Sequence, residues 1–334
     1  LEMCARPPSE SELQAVLAEL AASTKGEERM ERHIRSLYQT TCNQCGQPVM
    51  AEAFLWERNA ASPYARLFTC DNCGASGEFP ALPADAERAR QFASVGMHRA
   101  RALERIAPIN DPDRVHAEEA LAVYLPRAVY VLFTLINKLD GLNLTSARRE
   151  LLSALLLTAC DRANTLWLHP PRRERPRQLT IPTRFRENNI WLALEGGVRL
   201  WASDQEPVPL TIFPNLPPPS GGICLFEGRL RDLTALLERL DSPRLRFAAV
   251  LAVLPRQNQA FWTLSALWAG WLWGRASVGP FKSVLRRRRY DWAWHTAGLM
   301  LAFNCLAPIL TPATPILGMI NEAEAGFMSS ALLG

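Results

Sequence analysis

The sequence predicts a mixed α/β protein in which an N-terminal helical region carries a zinc ribbon. Two cysteine pairs, CNQCG at 42–46 and CDNCG at 70–74, are flanked on both sides by helical patterns. From residue 221 onward, short apolar runs alternate with helical patterns, which is typical of a parallel sheet covered by helices. The 334 residues are enough for two domains, each with its own core.

The composition is that of a globular protein, with 48% apolar and 21% charged residues. No apolar run reaches the roughly 18 residues that a transmembrane helix requires, and the first residues lack the pattern of a secretory signal peptide. We therefore expect a cytoplasmic protein that has no membrane partner. The net charge of +4 is modest, but the basic residues concentrate in PPRRERPRQ (170–178) and RRRRY (286–290).

The first half of the chain divides into three predicted regions. Residues 1–38 are expected to be a helical lead-in, with helices at 8–23 and 27–38. Residues 39–80 form the zinc ribbon, where glycines and short extended segments surround the cysteines. Residues 81–168 are expected to be helical, with one helix at 83–105, another after Asp113 and two long apolar helices within 127–167.

The second half begins with a predicted linker at 169–220, rich in proline and arginine, which contains a short helix at 186–202. Residues 221–334 are predicted to form the α/β region. Its expected strands are 221–228, 246–254 and 315–320, and its expected helices are 229–240, 258–273 and 288–307.

The four paired cysteines are predicted to bind a structural Zn²⁺. Cys42, Cys45, Cys70 and Cys73 form two pairs with two-residue spacing, and a glycine follows the second cysteine of each pair. This spacing suits tetrahedral zinc with a closed shell of four thiolates. Two disulfides or a redox pair are the alternatives, although disulfides do not fit a chain without secretion features. The four other cysteines lie in apolar surroundings and are expected in the core.

Between the cysteine pairs, arginines and aromatic residues alternate within FLWERNAASPYARLF (54–68). This pattern fits base stacking with phosphate contact, and it equally fits a ribbon packed on its neighbour. The sequence leaves both interpretations open.

The chain resembles the zinc-ribbon-containing, adenine-specific DNA methylases, a branch of the class I S-adenosylmethionine-dependent amino-methyltransferases. The resemblance covers most of the chain and rests on five stretches in the same order: ERHIRSLYQTTCNQCG…CDNCG, RFRENNIWLALE, LPRQNQAFWTLSALWAGWLWG, PFKSVLRRRRYDWAWH and ILGMINEAEAGF. It implies that residues 221–334 are the C-terminal half of a Rossmann-like methyltransferase sheet, and that DNA is the partner.

The resemblance also implies a catalytic turn after the strand at 246–254, where the family has an Asp-Pro-Pro-aromatic type turn. A flipped base needs acceptors for its exocyclic amine and an aromatic ring for stacking. Pro255 takes the place of the second proline, but Val253 stands where the acid is expected. The implied catalytic residues are Pro255, Asn258 as a replacement acceptor, and Phe261.

The glycine-rich turn that holds the cofactor in class I methyltransferases is not found in this sequence. The resemblance places that half upstream of Leu1, which implies a partner polypeptide that supplies it. For binding S-adenosylmethionine, the resemblance implies Glu227 and Gly228. The alternative is that these two residues form an ordinary turn between a strand and a helix.

The basic run Arg286, Arg287, Arg288 and Arg289 is expected to contact nucleic acid through phosphates, with a solvated helix end as the alternative. Two functions follow. The first is a DNA adenine-N6-type methyltransferase-like protein, incomplete or inactive as this chain alone. The second is a zinc-ribbon protein that binds nucleic acid without catalysis.

Overall fold

The computed structural model describes residues 2–92, 96–172, 175–239, 247–286, 291–320 and 323–334. The chain forms two compact units. The ribbon unit consists of Pro7–Glu206 and Gln259–Arg286, and the parallel-strand unit consists of Leu1–Arg6, Pro207–Asn258 and Arg287–Gly334. None of the helices in the described ranges is both long and apolar enough to cross a membrane.

The helices lie largely where the sequence predicts them, with two differences: the predicted helix 27–38 begins only at Met30, and the predicted helix 83–105 is present as two helices, Pro83–Arg90 and Gly96–Glu104. The helices are α1 (Glu2–Ala5), α2 (Glu10–Ala22), α3 (Met30–Ser36), α4 (Pro83–Arg90), α5 (Gly96–Glu104), α6 (Arg114–Leu121), α7 (Pro126–Gly141), α8 (Ser146–Arg162), α9 (Ile190–Trp201), α10 (Leu230–Arg239), α11 (Gln259–Trp273), α12 (Lys282–Arg286), α13 (Trp292–Leu306) and α14 (Ala325–Leu333).

The strands are short apart from one. They are β1 (Thr24–Lys25), β2 (Glu28–Arg29), β3 (Gln39–Thr41), β4 (Pro48–Glu57), β5 (Ala65–Thr69), β6 (Ser76–Pro80), β7 (Arg184–Asn188), β8 (Leu210–Ile212), β9 (Ile223–Leu225), β10 (Val250–Val253) and β11 (Ile316–Met319).

The ribbon unit has a core of apolar helices, and local signals set the helix ends. Ser9 caps α2 in a capping box with Glu12, Thr145 caps α8 and Asn189 caps α9. Each of these side chains accepts a hydrogen bond from a backbone N–H that the helix leaves without a partner. Helix α7 begins with Pro126, which is favoured at the first helical position. Its apolar side chains pack in one core with those of α8 and α11.

The ribbon sheet is antiparallel and has the order β3-β4-β5-β6, with β7 also paired to β4. Strand β4 pairs with β5 along one edge, and along its other edge it pairs first with β3 and then with β7. Strand β7 lies inside the region 169–220 that was predicted to be a linker. Its last three residues were predicted to belong to a helix at 186–202. The helix that was predicted there begins at Ile190 instead, and the five residues Arg184–Asn188 complete the sheet.

The parallel-strand unit confirms the mixed α/β class but not a continuous sheet. Strand β8 pairs with β9 in parallel, and β10 pairs with β11 in parallel, each as a separate two-stranded sheet. No Rossmann sheet is formed among the residues that the structure describes here. The expected elements are present, but the strands are shorter than predicted: residues 223–225 instead of 221–228, and 250–253 instead of 246–254.

Candidate metal centre

The first cysteine pair lies on a tight turn between β3 and β4. The Gly46 backbone N–H donates to the Cys42 carbonyl at 3.0 Å, and the Cys42 N–H donates to the Gln47 carbonyl at 2.8 Å. Gly46 has a φ of +72°, a conformation that glycine adopts without steric cost. The turn brings the Gln44 N–H to 3.4 Å from the Cys42 Sγ.

The second pair repeats this turn between β5 and β6. The Gly74 N–H donates to the Cys70 carbonyl at 2.9 Å, and the Cys70 N–H donates to the Ala75 carbonyl at 2.8 Å. Gly74 has a φ of +74°. The two turns are therefore equivalent, as the repeated Cys-x-x-Cys-Gly spacing predicts.

The two turns bring four sulfur atoms together. The Sγ atoms of Cys42, Cys45, Cys70 and Cys73 all lie within 4.8 Å of one another. Cys42 and Cys73 are 3.6 Å apart, as are Cys45 and Cys70. Four thiolates at about 2.3 Å from a tetrahedral Zn²⁺ lie roughly 3.8 Å from each other. The donor set therefore fits a structural Zn²⁺, and its closed shell provides no position for a reacting water.

The electrostatics of the cluster also favour a bound cation. Hydrogen bonds from backbone N–H groups lower the pKa of Cys42 and lower the pKa of Cys45 to about 6. The Ala75 N–H acts in the same direction on Cys73, but burial and the three neighbouring sulfurs together raise the pKa of Cys73 to about 12. Four thiolates therefore repel one another at this distance, and a divalent cation offsets that repulsion.

The apolar core around the sulfur cluster is small. Cys42 and Cys70 are buried beside Val49 and Phe68, and Phe68 stacks on Phe79 with ring centroids 4.6 Å apart. Because so few apolar side chains bury little surface, we expect this part of the sheet to depend on a bound metal for its folding. We therefore assign the centre a structural role.

The alternation of arginines and aromatic residues between the cysteine pairs is explained by packing. Phe54, Trp56 and Phe68 are buried. Arg66 is also buried, and its guanidinium donates to Thr40 Oγ1 at 2.7 Å and to Asp85 Oδ2 at 3.2 Å. These side chains are not available to stack on bases. Of the two interpretations left open by the sequence, the packed ribbon describes these four residues.

The predicted core positions of the other four cysteines hold only in part. Cys160 is buried, Cys224 and Cys305 are half-buried, and Cys4 is exposed. The prediction was wrong for Cys4, because apolar neighbours in the sequence do not ensure that a residue of a four-residue helix faces a core.

The implied catalytic turn follows β10 in the parallel-strand unit. Val253 ends the strand with 69% of its surface exposed. The Pro255 carbonyl lies 2.7 Å from Nε2 of the buried His295, whose Nδ1 contacts Ser330 Oγ. Because a carbonyl only accepts, the His295 Nε2 donates to it. The carbonyl of this predicted catalytic residue therefore already has a donor.

The other two implied catalytic residues differ in their surroundings. Asn258 is half-buried and belongs to the parallel-strand unit. Phe261 is half-exposed on α11 of the ribbon unit, where its ring meets that of Trp268 edge to face with centroids 6.2 Å apart. The three residues are therefore divided between the two units.

The implied cofactor residues lie between β9 and α10, as expected for the carboxyl end of a strand. Glu227 and Gly228 are both exposed. The Phe226 ring lies close over Gly228, 2.7 Å from where a Cβ would stand. This close approach explains the glycine without a cofactor.

The basic run is described at its first residue only. Arg286 forms a two-point ion pair with Asp113, from Nε to Oδ1 at 2.5 Å and from Nη2 to Oδ2 at 3.1 Å. This ion pair lowers the pKa of Asp113. The Arg286 side chain is still 53% exposed. Arg287, Arg288 and Arg289 lie outside the described residues.

Sequence reasoning missed a buried ion pair within the ribbon unit. Glu187 of β7 accepts hydrogen bonds from Arg127 of α7 at 2.7 and 2.5 Å, and from Trp56 Nε1 at 2.8 Å. The alternation in RFREN (184–188), with Phe185 and Glu187 facing inward, was the available signal for a strand.

Comparisons with known proteins identify no relative: no protein family model, no curated protein and no solved structure matches this chain.

Proposed function

We propose that this chain is a zinc-stabilised, DNA-methylase-like protein that does not transfer a methyl group on its own. Two things support the proposal: the four-cysteine metal centre, and the resemblance of five stretches of the sequence to the DNA methylases. The observation that carries it is the turn after β10, where Val253 stands in place of the acid and the Pro255 carbonyl already accepts one hydrogen bond, from His295 Nε2.

Methyl transfer to an exocyclic amine needs groups that accept its hydrogens while the nitrogen attacks. At the end of β10, Val253 carries only methyl groups. The neighbouring Pro255 carbonyl accepts from His295 Nε2. The Asn258 side-chain amide is the replacement acceptor that the resemblance implies.

The parallel pairing of β10 with β11 supports a methyltransferase-like origin for this unit. Ligands of open α/β sheets bind outside the carboxyl ends of parallel strands, and Val253 and Met319 are paired at those ends. Two strands cannot hold S-adenosylmethionine as a full sheet does. We therefore propose that the glycine-rich half is supplied by another polypeptide segment, and that catalysis depends on it.

The direct test is calorimetric titration of S-adenosylmethionine into the zinc-loaded chain, followed by methyl transfer to unmethylated DNA. We expect no binding heat and no transfer. Micromolar binding with methylated adenine as the product would contradict the proposal.

A designed variant tests whether the turn is a former catalytic site. We expect Val253→Asp to raise methyl transfer when the missing half is added as a separate polypeptide. Leu251→Asp is the matched control, because Leu251 lies two residues away on the same face of β10 and is 70% exposed. Equal behaviour of the two variants would mean that the turn is scaffold only.

A nucleic-acid-binding protein without catalysis is the second candidate, and the half-exposed Arg286 at the start of the basic run favours it. Removing phosphate contacts weakens binding and flattens its salt dependence. Arg286→Ala should do both in a fluorescence-anisotropy titration with duplex DNA. Arg275→Ala is the control, because Arg275 forms a similar half-exposed ion pair, with Asp111.

We include a cytoplasmic location in the proposal. All eight cysteines are free thiols in the structure, and a reducing compartment preserves a four-thiolate zinc site.

A further inference from the structure

A chain of polar side chains converges on Tyr130, on elements other than those that carry the cysteines. Lys25 of β1, Glu28 of β2 and His33 of α3 approach one face of α7, where Tyr130 lies. The Tyr130 hydroxyl is 3.0 Å from His33 Nε2 and 2.5 Å from Lys25 Nζ. His33 Nδ1 is 3.3 Å from Glu28 Oε2.

The partners determine the direction of these hydrogen bonds. An ionised carboxylate only accepts, so His33 Nδ1 carries the hydrogen that Glu28 receives. In the neutral imidazole, Nε2 then has a lone pair and accepts from the Tyr130 hydroxyl. Glu28 orients His33, and His33 is placed to take the proton of Tyr130. This is the arrangement of nucleophile, base and orienting group that serves covalent catalysis.

Lys25 supplies the positive charge that such a site requires. Its ammonium donates to the Tyr130 oxygen and lies 3.1 Å from the buried Thr134 Oγ1, which holds it in place. The same nitrogen lies 4.1 Å from the centre of the Tyr130 ring. A fixed cation beside the phenol oxygen stabilises the negative charge that forms there when the proton leaves.

Two further rings lie beside Tyr130. Phe92 and His98 have ring centroids 5.0 and 4.8 Å from that of Tyr130. Burial, assisted by Lys25 and Arg101, lowers the pKa of His98. Electrostatic interactions are stronger in such surroundings than in water. His33 keeps 19% of its side chain exposed, which leaves an approach from solvent.

We propose that Tyr130 is the nucleophile of a second chemical site, with His33 as its base, Glu28 as the orienting group and Lys25 as the electrostatic stabiliser, acting on an acyl donor. In the reacting step, the Tyr130 oxygen forms a bond to the acyl carbon. The bond between the acyl carbon and the leaving group breaks, the leaving group departs with the bonding electron pair, and the phenol proton passes to His33 Nε2.

The test uses 4-nitrophenyl acetate as the acyl donor and the full, zinc-loaded chain. We expect one equivalent of 4-nitrophenolate to be released in a burst, with the acetyl group located on Tyr130 by peptide mass spectrometry. General-base assistance is worth about 100-fold or more. His33→Gln should therefore slow acetylation of Tyr130 by roughly that factor, and Lys25→Met should also slow it.

Matched variants distinguish a chemical site from a set of hydrogen bonds that only stabilises the fold. Tyr130→Phe keeps the ring and should abolish the burst. Arg148→Gln removes an exposed ion pair with Glu19, which touches none of the four residues of the site, and should leave the rate unchanged. Zinc content and circular dichroism verify that each variant is folded. Glu28→Gln, the milder change, serves if His33→Gln does not fold. Tyr130 acetylation no faster than that of N-acetyltyrosinamide, or equal rates in the wild type and the base variants, would overturn the proposal.

Discussion

Glu187 and Arg127 form a buried, two-point ion pair that joins the ribbon sheet to the helical core of its unit. Each side chain is 2% exposed. The Arg127 guanidinium also lies 4.6 Å from the centre of the Phe54 ring. Because Glu187 lies on β7 and Arg127 on α7, the strand that completes the sheet is held by a helix of the core.

This ion pair gives the first prediction. Glu187→Gln leaves the charge of Arg127 buried without a counter-charge, so we expect a loss of about 3–5 kcal/mol in the free energy of unfolding. Urea denaturation measures it. Glu57→Gln is the control on the neighbouring strand, because Glu57 pairs with Arg184 at 3.2 Å on the surface and should cost about 1 kcal/mol or less. Similar losses in the free energy of unfolding for both variants would mean that the buried ion pair stabilises the fold no more than the exposed one.

The second prediction concerns the metal. Replacing Cys70 with serine removes one of four thiolates, so we expect the chain to lose its single zinc and to melt at a lower temperature. Elemental analysis and thermal denaturation measure the two effects. Cys224→Ser changes a half-buried cysteine outside the cluster and should retain one zinc per chain. Full zinc content in Cys70→Ser would contradict the four-cysteine assignment.

The third prediction is a pH dependence from Asp113. Its pKa is lower in the folded chain than the unfolded value of about 3.9, chiefly because Arg286 donates to it. Its contribution to stability is therefore complete well above that value, and it is lost as the pH falls through the folded pKa. We expect Asp113→Asn to lower the melting temperature at neutral pH, with a difference that narrows below about pH 4.

The variant Arg286→Gln is the control for that titration. With the ion pair already removed, adding Asp113→Asn should change the melting temperature much less. An undiminished effect in the Arg286→Gln background would assign the role of Asp113 to something other than the ion pair.

The fourth prediction concerns Gly270 in α11. A Cβ there would stand 2.8 Å from Val278 Cγ2, 2.9 Å from Ile106 Cγ1 and 3.1 Å from the Arg105 carbonyl oxygen. We expect Gly270→Ala to destabilise the chain by about 1–3 kcal/mol through overpacking, measured by urea denaturation. Gly298→Ala, in α13, meets no atom within 4 Å and should be neutral or stabilising by up to about 1 kcal/mol. A neutral Gly270→Ala would mean that the three neighbours move aside.

The metal centre was predictable because its chemistry is local. Two cysteines two residues apart, followed by a glycine, determine a turn and two ligands within one stretch of chain. The helix ends were predictable for the same reason, as at Ser9, where the capping residue and its partner are three residues apart.

The strand β7 was not predictable with the same ease. Its inward positions are Phe185 and Glu187, and a glutamate does not indicate burial until Arg127 and Trp56 are known to face it. The roles of Arg66 and Trp56 were equally open, because an arginine beside aromatic residues can face a phosphate or a buried carboxylate. Only the distant partners, Asp85 and Glu187, decide between these environments.

The pairing of β4 with β7 has a consequence for how the chain folds during synthesis. Trp56 and Glu187 are 131 positions apart in the sequence, so the cysteine turns are complete long before the strand that closes the sheet leaves the ribosome. Contacts of such separation raise the contact order, and high contact order slows folding. Until then, β4 offers an unpaired edge to other chains. Early binding of zinc would hold the remaining strands in register during this interval.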